Sequence, residues 1–120
     1  MRSHLNIALL LPGMLLLAGC YYDNEEELYP SNFCDVTAVT FSGTIKPLIQ
    51  TRCAIPGCHV NGGQSPNLTV DANILGIAQN GDLHARVIQR ASPAMPPTGP
   101  LPSCEMQQIQ AWLDQGSPNN

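Results

Sequence analysis

Cys53-Ala54-Ile55-Pro56-Gly57-Cys58-His59 places two thiols and an imidazole within one short stretch. Thiolate sulfur and imidazole nitrogen are nucleophiles and metal ligands, so several chemistries compete for these residues. Two cysteines followed at once by a histidine suit covalent haem attachment. The thiols add across the vinyl groups as thioethers, and the imidazole binds the iron. Four residues separate the cysteines here, where the usual pattern has two. Pro56 and Gly57 lie in that gap and can turn the backbone sharply, bringing the thiols back toward one edge. The same residues would also serve a Cys53–Cys58 disulfide, or a zinc ion held with His59 and a fourth ligand.

A softer donor follows downstream. Met95 stands in Ala91-Ser92-Pro93-Ala94-Met95-Pro96-Pro97-Thr98-Gly99-Pro100, where four prolines fix their φ angles and stiffen the loop. A stiff loop holds a thioether at a set distance from a metal at low entropic cost. With an upstream Cys-Cys-His site, Met95 is the candidate for a sixth iron ligand. Its rivals are His84, expected on a half-exposed helix, and Met106, whose place on a helical stripe is explained by packing.

The chain has 120 residues and five cysteines, Cys20, Cys34, Cys53, Cys58 and Cys104. Residues 1–19 are expected to be a leader. Met1 to His4 is a short basic region, and Leu5 to Leu17 is apolar but short for a membrane span. Leu17-Ala18-Gly19-Cys20 resembles a bacterial lipobox, which implies cleavage before Cys20 and lipidation of its thiol. The alternative is an ordinary cleaved signal peptide with a free Cys20. Either way the mature chain is exported, where disulfides are permitted. If haem takes Cys53 and Cys58, then Cys34 and Cys104 remain to pair. Without haem, four cysteines make two disulfides of open connectivity.

Formal net charge is −4, and Asp23, Glu25, Glu26 and Glu27 cluster just after Cys20. That run reads as a solvated tether, the first part of a lipidated tether and arm over residues 20–40, and it also resembles acidic signals that direct lipoproteins to the cell surface. From Cys34 onward four basic residues face five acidic ones. No basic patch points to nucleic acid.

These groups need elements to position them. Cys34 to Thr40 is expected to be a pinned, strand-like arm. Phe41 to Arg52 reads as a first helix, capped by Ser42 or Thr44, with Pro47 in its first turn and Ile45, Leu48 and Ile49 on one face. His59 to Asn67 reads as loop. Leu68, Val70, Ile74, Leu75 and Ile77 mark a second helix, with Thr69 or Asp71 near its start, stopped by Asn80-Gly81. Leu83, Val87 and Ile88 mark a third, ending near Arg90. Ser103 is the cap candidate for a last helix to Gln115, with Met106, Ile109, Trp112 and Leu113 as its stripe. Pro118-Asn119-Asn120 reads as a polar tail.

In this order, residues 41–117 resemble a small class I c-type cytochrome domain, of the kind attached to bacterial lipoproteins and similar to planctomycete cytochromes. The resemblance is carried by Cys53…Cys58-His59, by Met95-Pro96-Pro97, and by a final helix with Ile109, Ala111 and Trp112 before Gly116. It implies an all-α fold around one covalent haem c, with the first and last helices crossing near a haem edge. Cys53 and Cys58 would be the attachment points, His59 the proximal and Met95 the distal ligand of the iron. Ile45, Leu48, Leu68, Ile74, Leu83, Val87 and Trp112 would face the porphyrin. A covalent porphyrin would also act as the staple that so small a domain needs.

The function expected is electron transfer between unnamed redox partners, on a lipid-anchored protein of the periplasm or cell surface. With both axial positions filled by protein, the iron has no open site. No Ser-His-Asp set, P-loop or paired carboxylate suggests an enzyme. Two alternatives stand beside this one: a haem-free, disulfide-stapled lipoprotein acting as a binding module, and a haem enzyme or sensor with a labile distal ligand.

Overall fold

The computed structural model describes residues 34–120. The leader, Cys20 and the acidic run lie outside the described residues. Regular structure within them is helical, with no strand. A π-helical turn, Phe41–Ile45, runs directly into α1, Lys46–Arg52. Helix α2 spans Asp71–Gln79, a second π-helical turn spans His84–Ile88, and α3 spans Ser103–Asp114. None of these helices is long and apolar enough to cross a membrane.

The first turn is wide for a local reason. Pro47 has no N–H to return to Gly43, and its ring crowds the carbonyl there. The chain opens ahead of the proline instead, and the Lys46 N–H reaches back to Phe41 O. Its cap is Thr40, not Ser42 or Thr44: the Thr40 hydroxyl accepts the Gly43 N–H at 3.1 Å. The two remaining free donors are taken by the far end of the chain. Phe41 N–H donates to Asn120 Oδ1 at 2.8 Å, and Ser42 N–H donates to Asn120 O at 2.9 Å. The expected polar tail is therefore part of the folded unit.

Helix α2 starts at Asp71, later than the apolar pattern suggests. Asn67 accepts both the backbone and the hydroxyl of Thr69, an Asx turn that keeps Leu68 and Thr69 out of the helix. At α3, Pro102 occupies the cap position and Ser103 is the first helical residue. The Ser103 hydroxyl accepts from Gln107 rather than from the backbone, so the expected serine cap does not form.

Phe41 stacks on Trp112 with ring centroids 5.7 Å apart, and Arg52 pairs with Glu105. The two contacts set α3 antiparallel to the Phe41–Arg52 stretch. Around them Ile45, Ile49, Ile74, Ile109 and Trp112 are fully enclosed by protein. Each such side chain contributes about 1.5–3 kcal/mol of burial energy. The Trp112 indole N–H is satisfied by Pro118 O at 3.0 Å.

The arm from Cys34 to Thr40 is irregular rather than strand-like. It is pinned by a Cys34–Cys104 disulfide with Cα atoms 5.3 Å apart, and by the burial of Val39.

Candidate functional site

Helix α1 delivers Cys53. Its N–H closes the helix on Ile49 O, and the chain then folds into a compact turn. The Cys58 N–H donates to Ile55 O at 2.9 Å, with Pro56 and Gly57 between them. Gly57 has φ +81. Proline then glycine, the glycine at positive φ, is the type II pattern. The His59 N–H returns to Cys53 O at 3.0 Å. The four-residue gap is thus taken up as one turn, and Cys53, Cys58 and His59 share a single hydrogen-bonded knot.

The strand of loop that follows wraps tightly over this knot. Cys58 O accepts the Gln64 N–H at 2.7 Å, and His59 O accepts the Leu68 N–H at 2.8 Å. Gly63 passes so close that a Cβ there would collide with the Cys58 carbonyl oxygen. The imidazole is oriented as well: His59 Nδ1 lies 2.9 Å from Pro66 O. A carbonyl can only accept, so Nδ1 carries a proton, and Nε2 is left as the ring nitrogen able to ligate. Metal-binding histidines are held in this way.

Cys53 and Cys58 are both free thiols, each half-buried. The Cys53–Cys58 disulfide considered above does not form, and the pairing of Cys34 with Cys104 leaves these two for other chemistry. Burial pushes the Cys53 thiol up to about 11, with Cys58 and Glu105 adding to the shift. At neutral pH it is a protonated thiol, not an activated thiolate. Among the described residues, no three His, Cys, Asp or Glu side chains converge as a cage for a metal ion, so the zinc arrangement has no closed donor set here.

Met95 is half-buried and packs on the same hydrophobic core as Cys53. Its backbone is gripped at both ends. The Met95 N–H donates to Arg86 O at 3.0 Å, and Met95 O accepts from Arg90 Nη1 at 2.6 Å. Arg90 Nη2 also donates to Pro96 O at 3.0 Å. Sequence reasoning credited the prolines with this rigidity and missed Arg90. A signal existed: prolines bring carbonyls without N–H groups, so a proline-rich loop needs donors from elsewhere, and arginine is the richest source.

The rival ligands are placed differently. Met106 packs against the core. His84 lines an open groove of about 460 Å³ with Gln110, Leu113 and Asp114, at the C-terminal end of α3. Cys53 lies by Glu105, at the opposite end of that helix. A second groove, about 260 Å³, is lined by residues including Leu48, Arg52 and Glu105. Neither groove is lined by His59 or Met95.

Of the seven apolar residues expected to face a porphyrin, six pack instead into the protein's own core, and Leu48 alone is half-buried at its rim. The reason is economy of a small fold. Among the described residues Ile45, Ile74 and Trp112 join Phe41, Ile49 and Ile109 as the largest fully buried side chains, and together they fill the space between the helices. Surface for a cofactor remains on rim residues such as Leu48, Cys53, Ala54 and Met95.

The donor types present are those a covalent haem would take: two unpaired thiols, a histidine with its Nδ1 committed, and a thioether on a clamped loop. No protein-family model, curated protein or solved structure matches the chain.

Proposed function

We propose that this chain is an electron-transfer protein carrying one covalent haem, exported and lipid-anchored through Cys20. The observation that supports it most is the pairing of His59 Nδ1 with Pro66 O beside two unpaired thiols, while the other two described cysteines bond to each other. Haem, when bound, supplies a one-electron iron couple. Cys53 and Cys58 would anchor it as thioethers, and His59 would ligate through Nε2. Met95 would supply a thioether sulfur, a soft donor that favours the reduced iron and raises the potential relative to a second histidine. The clamped Met95 loop and the knotted cysteine turn would limit rearrangement between oxidation states. That suits outer-sphere transfer rather than activation of a bound substrate.

The test is mass and spectrum on protein matured in a bacterial periplasm. Intact mass should exceed that of the processed chain by one haem, and acid-acetone should fail to extract it. The oxidised protein should show a far-red sulfur-to-iron band that Met95→Ala removes and His84→Ala leaves. Extractable haem, or none, sinks the proposal. A wild-type protein without the band, in which His84→Ala rather than Met95→Ala opens the iron to carbon monoxide, would move the sixth ligand to His84.

A further inference from the structure

Arg90 occupies a position that usually belongs to glycine. It directly follows the residue capping the second π-helical turn, and its φ is +57. Left-handed backbone just past a helix end favours glycine, because a Cβ there is strained. The Ala91 N–H, donating to Ala85 O at 2.9 Å, closes the turn whatever side chain stands at 90. The backbone therefore gains nothing from arginine here, and its reason must lie in the side chain.

That side chain makes two contacts, both with the loop holding the proposed distal ligand. Nη1 and Nη2 fork onto the consecutive carbonyls of Met95 and Pro96. Among the described residues Arg90 pairs with no carboxylate, unlike Lys46, Arg52 and Arg86. Its donors point at neutral oxygens, and charge-assisted bonds of this kind are about twice as strong as neutral ones. Pro96 and Pro97 have no N–H with which to hold this part of the loop from within.

We infer that Arg90 is the positioning residue of the axial methionine: its guanidinium sets where the Met95 sulfur stands and opposes its departure from the iron. This rests on Met95 being the ligand proposed above. Arg90 does not touch the iron; it acts through the Met95 backbone.

Arg90→Gly separates this role from a structural one, because glycine relieves the left-handed strain while removing the clamp. The variant should fold at least as readily as the parent. Its far-red band should weaken, and carbon monoxide should bind the reduced protein at least about tenfold faster, the factor that even one of the two lost charge-assisted hydrogen bonds supplies. Arg90→Lys keeps the charge but cannot fork across two carbonyls, so it should fall between the parent and Arg90→Gly. A wild-type band and carbon monoxide rate preserved in both variants would overturn the inference while leaving the haem proposal standing. A wild-type protein with haem but no band would overturn both the Met95 assignment and the clamp.

Discussion

The turn carrying Cys53, Cys58 and His59 and the loop carrying Met95 are both irregular, yet they are held in opposite ways. The cysteine turn is held mainly by its own backbone: Cys58 to Ile55, His59 to Cys53, Gln64 to Cys58. The methionine loop has four prolines and few amides to spend, so arginine side chains hold it from outside. A self-bonded turn is damaged by crowding its backbone. A loop gripped from outside is damaged by removing a single distant side chain. The cysteine side should therefore fail as loss of folding, and the methionine side as loss of ligand placement at nearly unchanged stability.

The largest effect expected is from the disulfide, which anchors the cysteine side. Cys104 neighbours Glu105, which pairs with Arg52 at the end of α1. Replacing both Cys34 and Cys104 by serine should cost about 4 kcal/mol on the chain-entropy account. Amide exchange should quicken first over residues 52–59. Earlier opening around Met95 would show that the two regions share one scaffold and break the comparison.

Next comes a pair of glycines. Gly63→Ala forces a Cβ into the Cys58 carbonyl, and should cost about 3 kcal/mol in denaturant unfolding. Gly99 lies in the methionine loop with open space around it and φ +141. Gly99→Ala should cost only the backbone penalty, about 1–2 kcal/mol. Equal losses would mean that crowding is not what distinguishes the cysteine side.

A further effect, smaller than those of the disulfide and Gly63, is a pH dependence confined to the haem-free chain. Cys53 is raised from 9.0 to about 11 when folded, first by burial. Between those values the unfolded thiol has lost its proton and the folded one has not. Stability should be unaffected below pH 9 and should fall by about 2 kcal/mol as pH rises toward 11. Cys53→Ala should flatten this slope. A slope that survives in the variant would assign it to another group.

Sequence pattern located the helices where apolar spacing and proline position agree, as at Phe41–Arg52 and Ser103–Asp114. It also located the cysteine turn, because Pro56-Gly57 states its own geometry. It failed where the decisive partner is remote. Thr40 rather than Ser42 caps the first turn, and the donor of Phe41 that this cap leaves over goes to Asn120, seventy-nine residues away. Arg90 was read as a helix end because nothing local shows that its guanidinium reaches two loop carbonyls. All but Leu48 of the apolar residues assigned to a cofactor are buried in the core, since periodicity shows that a face is buried but not what covers it.

The bond from Phe41 to Asn120 brings the start of the first helix and residue 120 to one corner of the fold. The arm reaches α3 at its other end, through the Cys34–Cys104 bond, so the last helix is fastened to the first helical stretch near both of its ends and cannot swing away by loosening one of them.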